Sequence, residues 1–115
     1  MTTQANIYID QGADFSTGID VVDDLGQVVD LTFATIEGQA RKVYSSEVIF
    51  QFDILVTYPL EGKAIIQLTP EVTETLPPGK YKYDIMINML NGAPKRTKLI
   101  EGIVYIIETV TGAPV

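Results

Sequence analysis

The stretch Leu68–Ile87, LTPEVTETLPPGKYKYDIMI, decides the fold. It reads as the end of a strand, one helical turn, a Pro-Pro-Gly corner and the start of another strand. Thr69 stands where a helix N-cap is expected, Pro70 takes the first helical position, where its missing N–H costs nothing, and Glu71 suits the positive end of the turn. Pro77 and Pro78 stop the helix. Gly79 supplies the backbone freedom of the corner, after which Tyr81, Tyr83, Ile85, Ile87 and Met89 share one face of a period-two strand directed at a core.

Tyr81, just past the corner, is placed like the tyrosine of the tyrosine corner in immunoglobulin-like sandwiches, whose phenol bonds backward to the turn backbone. That role buries the ring and still satisfies the hydroxyl, so it asks for no catalysis.

Outward from this stretch the chain reads as further short strands. Ala5 to Ile9 alternates, Gln11-Gly12-Ala13 turns the chain, and Asp14 to Val22 puts Phe15, Thr17, Ile19 and Val21 on one face. Asp23-Asp24-Leu25-Gly26-Gln27 has turn composition. A strand of about ten residues follows Asp30-Leu31-Thr32, its inward positions Ala34, Ile36, Gly38 and Ala40 mostly small, as if a large neighbour packs across. Val48 to Val56 and Lys63 to Leu68 come next, joined by Tyr58-Pro59-Leu60-Glu61-Gly62. After the Tyr81 strand, Asn91-Gly92-Ala93-Pro94 turns the chain into a last strand from about Thr97 to Val110, and Thr111–Val115 reads as a flexible tail. About seven or eight strands with one short helical turn predict a single domain over residues 1–115, an all-β, immunoglobulin-like antiparallel β-sandwich.

Composition narrows the function. The 115 residues contain no Cys and no His, which removes thiolate chemistry, Cys-ligated zinc and the usual general base. Fifteen acidic residues against eight basic ones give a formal charge of −7, which disfavours nucleic acid. Neither a secretory leader nor a membrane-length apolar run is evident. No cofactor is expected.

Several side-chain groups are candidate sites. Asp10, Asp14, Asp20, Asp23, Asp24 and Asp30 crowd the first third and raise the question of calcium, although turn chemistry accounts for Asp at most of these places. Glu71 and Glu74, three apart on one turn, with Asp84 beyond, allow a carboxylate pair to be written down, but helix-start and solvated charges explain them without catalysis. Lys80, Lys82, Lys95, Arg96 and Lys98 read as a basic cluster around the last hairpin loop, either docking an acidic partner or protecting an edge.

The last strand is apolar on both faces: Ile100, Gly102, Val104 and Ile106 on one, Leu99, Ile103, Tyr105 and Ile107 on the other. Ile49 and Leu55 repeat this on the Val48 strand, and Met86 and Leu90 on the Tyr81 strand. A water-facing antiparallel sheet alternates cleanly, so Ile49, Leu55, Met86, Leu90, Ile103, Tyr105 and Ile107 are expected to form an interface with another chain, the alternative being cover by another layer or by loops of the same chain. Glycan recognition is the competing expectation and would use loop aromatics, for which Tyr44 and Tyr58 qualify.

Four pieces together resemble a family: Asp24 to Ala40, with Gly26 and Asp30-Leu31-Thr32; Gly62 to Leu68; the run Thr75-Leu76-Pro77-Pro78-Gly79-Lys80-Tyr81-Lys82-Tyr83-Asp84-Ile85; and Leu99-Ile100-Glu101-Gly102-Ile103-Val104. They are similar to the small immunoglobulin-like modules of tailed-bacteriophage virion proteins, including the N-terminal domain of baseplate upper proteins. The resemblance implies a non-enzymatic structural role in a tail, baseplate, neck or decoration layer, assembled in the host cytoplasm by contacts with other virion proteins; with the apolar faces, a homo-oligomer or docking on a larger ring is expected. It transfers no catalytic residues. The second, receptor-binding or plug-like domain of the baseplate proteins has no counterpart in the sequence, so an adaptor, decoration or fibre-attachment role also fits.

Overall fold

The computed structural model describes residues 3–23, 25–43, 47–90 and 95–110, with backbone only at 48 and 49. The expectations on Asp24, Tyr44, the Ile49 side chain, the 91–94 turn and the 111–115 tail lie outside the described residues. Among the described residues eight strands form: β1 (Thr3–Gln4), β2 (Ile7–Asp10), β3 (Phe15–Asp20), β4 (Ala34–Lys42), β5 (Val48–Tyr58), β6 (Lys63–Leu68), β7 (Gly79–Met89) and β8 (Lys95–Ile107), with helix α1 (Pro70–Glu74) between β6 and β7. They make one curled, mixed sheet in the order β1-β8-β7-β4-β5-β6-β3, with β2 also on β8.

The curl comes from β5, which changes partner halfway. Phe50, Gln51 and Phe52 pair with β4, whereas Asp53 to Tyr58 pair with β6. Ile66 and Leu68 of β6, with Phe15 and Ile19 of β3, thereby pack in the same cluster as Tyr81, Tyr83, Ile85, Val104 and Ile106. Phe50 and Phe52 meet Tyr81 and Tyr83 edge-on, with ring centroids 6.3 and 5.8 Å apart, the arrangement that the ring quadrupoles favour. A smaller cluster of Val21, Leu31 and Ile87 extends this core.

The Leu68–Ile87 stretch folds as read, apart from its cap. Pro70 begins α1, and Tyr81, Tyr83, Ile85 and Ile87 are buried along β7. Thr69 sits at the N-cap with extended backbone, yet its hydroxyl makes no capping bond. The turn is instead held by Thr73, fully buried, whose hydroxyl donates to Ala13 O at 2.7 Å.

Three strand expectations are corrected. The pairing is not purely antiparallel: β1 and β2 run parallel to β8, an arrangement that a tight hairpin cannot make and a long connection allows. Ala5 and Asn6, expected at the start of the first strand, instead separate β1 from β2, where the Ala5 carbonyl crosses directly over Gly102 and a Cβ would overlap it. Finally, β8 starts at Lys95 and ends at Ile107, and its register with β7 shifts between Ile85, opposite Ile100, and Met86, opposite Lys98. That bulge leaves Leu99 as the extra residue. Leu99 and Ile100 both pack on the core, so Leu99 is not an outward residue.

The small inward positions of β4 are filled from the side. A Cβ on Gly38 would overlap Ile85 Cδ1 and lie 3.2 Å from Phe52 Cδ2, both on the strands that flank it. At the β5–β6 connection Pro59–Glu61 forms a 3₁₀ turn, closed by Gly62 at φ 67°. A side chain there would be strained and would also meet Val21 O at 2.7 Å.

Candidate functional site: the outer face of the β8–β7–β4 sheet

The outward residues of β8, β7 and β4 fall in cross-strand rows set by the register. Tyr8, Tyr105 and Lys80 form one row, Ile103, Lys82 and Arg41 the next, and Glu101, Asp84 and Gln39 a third. The second and third rows line an open concavity of about 770 Å³, together with Gln4, Asn6, Met86, Arg96 and Lys98.

The first row is aromatic. The Tyr8 and Tyr105 rings stack with centroids 5.0 Å apart and planes 8° from parallel, and Lys80 Nζ lies 5.8 Å from the Tyr105 centroid. Tyr8 is 63% exposed. Neither the stack nor Tyr8 follows from composition, because their adjacency depends on a parallel register between β2 and β8.

The third row is ionic. Lys98 bonds Glu101 at 2.9 Å and lies 3.8 Å from Asp84. The hydrogen bond to Glu101 is the main reason that the Lys98 ammonium is held above its ordinary range. The same bond, joined by one from Gln4, holds the Glu101 carboxyl below its own. Arg96 pairs with Glu37 at 2.7 Å. All these side chains are part-exposed, so each pair adds little to stability.

Of the expected interface residues, Leu55, Leu90 and Ile107 are exposed, whereas Met86, Ile103 and Tyr105 are half-buried. They do not form one apolar sheet face. Met86 has Glu37 and Lys98 opposite it, and Ile103 has Lys82. Leu55 lies on the half of β5 that pairs with β6, beside Ile65. The apolar outer surface is therefore divided by charge, with its aromatic part at Tyr8 and Tyr105. The basic residues are divided too: Lys80 lies opposite Tyr105 and Lys95 opposite Met89, at the two ends of the β7–β8 ribbon. Lys82, Arg96 and Lys98 line the concavity together, but Lys80 and Lys95 are kept apart because 11 residues of β7, at about 3.3 Å each, run between those ends.

The carboxylates are similarly dispersed. Asp23 Oδ1 accepts from the Leu25 and Gln27 N–H groups, Asp20 pairs with Lys63, and Asp30 accepts from the Thr32 hydroxyl and N–H. The Thr32 bonds hold the Asp30 carboxyl below its usual range. Among the described residues, no group of three or more His, Cys, Asp or Glu is placed to hold a metal ion. Asp84 lines the concavity, but neither Glu71 nor Glu74 does. Tyr81 donates to Pro77 O at 2.5 Å, and Tyr83 to Ala5 O at 2.6 Å. Among the described residues, no helix is long and apolar enough to cross a membrane.

No protein-family model and no curated protein matches the chain. Among solved structures it is similar to a family 123 glycoside hydrolase from Clostridium perfringens, studied for glycolipid glycan hydrolysis, at 11% identity and a TM-score of 0.45. The match covers 96% of this chain and 24% of that one. A likeness of that strength bears on neither activity nor substrate.

Proposed function

We propose that this chain is a non-enzymatic building block of a bacteriophage particle, a tail, baseplate, neck or decoration component that works by protein–protein assembly. The curled sheet is read as a two-layered, immunoglobulin-like module, with β5 shared between layers and the Tyr81 corner at one end. The observation that carries the assembly reading is the Tyr8–Tyr105 stack, exposed beside Ile107 on the flank where β1 and β2 end the sheet. Aromatic side chains held rigid at a surface are the usual anchors of interfaces, and an uncovered sheet edge adds backbone groups for a partner.

Light scattering behind a sizing column, over a concentration series, tests the reading. A defined oligomer that Tyr105→Asp converts to a folded monomer supports it. A chain that stays monomeric alone and captures no virion protein counts against it.

A second reading, carbohydrate or host-surface binding, is favoured by one observation: Tyr8 and Tyr105 lie in the cross-strand row next to that of Ile103, Lys82 and Arg41, which lines a concavity of amide and charged side chains. An exposed ring beside convergent polar groups suits a sugar. On this reading the sheet face, not a loop, carries the aromatics. A glycan array signal lost in Tyr8→Ala supports it.

A further inference from the structure

Arg41 and Lys82 stand directly opposite one another across the β4–β7 pairing and both line the concavity. Like charges in that relation repel and destabilise a sheet. The neighbouring carboxylates are already engaged, Glu37 by Arg96 and both Asp84 and Glu101 by Lys98. Among the described residues, neither cation has a carboxylate within ion-pair distance, and Arg41 reaches only the Gln39 side-chain oxygen, at 3.4 Å. A chain of net charge −7 thus keeps two uncompensated cations side by side in a concave surface.

The matching element lies on the same molecule. Glu71 and Glu74 are exposed on α1, three residues apart, and among the described residues neither forms an ion pair. Carboxylates at that helical spacing stand roughly 5–6 Å apart at Cβ, and directly opposed cross-strand residues about 4.5–5.5 Å apart. Two charges can therefore meet two charges. Val72 on the same turn is part-exposed, and Met86 and Ile103 give the concavity apolar floor.

We infer that copies of this chain associate head to tail, the Glu71/Glu74 turn of one docking on the Arg41/Lys82 pair of the next. The contact uses different surfaces on the two copies, so it builds a ring or an open filament rather than a two-fold dimer. It rests on the assembly reading and specifies the partner as a second copy. Exposed ion pairs are weak and screened, so the association is modest and salt-sensitive.

The test is charge exchange on the full chain, with mass followed by light scattering at low and high salt. Wild type should associate at about 0.02 M salt, with an apparent Kd at least about tenfold weaker at about 0.5 M. R41E/K82E and E71K/E74K should each be monomeric, and a 1:1 mixture of the two should associate again, which also shows that both fold. A wild type that is monomeric throughout overturns self-association while leaving assembly with other proteins open to capture experiments. Association that persists unchanged in both reversed variants overturns this contact, and the assembly reading then stands or falls on Tyr105→Asp.

Discussion

The Tyr83 hydroxyl donates to the carbonyl oxygen of Ala5, 2.6 Å away and 78 residues distant in sequence. This bond ties the break between β1 and β2 to the centre of β7. Tyr83→Phe keeps the ring in the core and removes the phenol's bond to that carbonyl. Ala5 is itself exposed, so water can partly replace the phenol, and the expected cost is about 1 kcal/mol, toward the low end for a lost bond to a buried group. Urea unfolding measures it. A variant as stable as wild type would show that the bond does not anchor the N-terminal strands.

Tyr83 also makes an alkaline prediction. Burial pushes its phenol up to about 12 and raises that of Tyr81 as well. A folded value above the ordinary 10.0 means that the neutral form is preferred in the native state. The resulting stabilisation is complete below pH 10 and is lost as pH rises from there through about 12. Phenolate absorbance should show a late step at about 12 that Tyr83→Phe removes. A single step near the ordinary value would contradict the burial.

Gly102 is the point where the N-terminal segment crosses β8. A Cβ there would overlap the Ala5 carbonyl and sit 3.2 Å from Asn6 Oδ1, the atom that accepts the Ile103 N–H. Gly102→Ala should cost about 1–3 kcal/mol as overpacking and should speed amide exchange at Ala5, whose N–H donates to Glu101 O. Gly18→Ala is the control. Its Cβ would meet nothing closer than 3.9 Å, and the expected change is within about 0.5 kcal/mol.

The β7 alternation, the proline punctuation of α1 and the backward bond of Tyr81 depend on residues within a few positions of each other, so their signals lie in one short stretch. Tyr83–Ala5, Tyr8–Tyr105 and Arg41–Lys82 depend on register between distant strands, and a shift of one residue exchanges the faces. The Leu99 bulge is such a shift: strict period-two counting sends Leu99 outward, whereas the extra residue turns it onto the core. The parallel pairing of β1 and β2 with β8 likewise has no hairpin to announce it. The candidate site, which is built from cross-strand rows, was therefore less legible than the fold.

Thr69 and Thr73 offer a paired test of how α1 is held. The usual expectation gives the N-cap residue the larger effect, about 1 kcal/mol on replacement by Ala. Here the Thr69 hydroxyl makes no cap bond, while the Thr73 hydroxyl donates to Ala13 O at 2.7 Å and lies 3.2 Å from Pro70 O, with no exposed surface. Thr69→Ala should change stability by less than about 0.5 kcal/mol, because an exposed side chain without a partner is removed. Thr73→Val keeps the shape but leaves the Ala13 carbonyl without its donor, at about 1–3 kcal/mol. The loss should also free the Gln11–Asp14 turn, which Gln11 otherwise fastens to the corner by donating to Leu76 O at 2.9 Å. Thermal unfolding of the two variants side by side decides the order. A larger loss in Thr69→Ala than in Thr73→Val would mean that the helix is held by its cap and not by the buried hydroxyl.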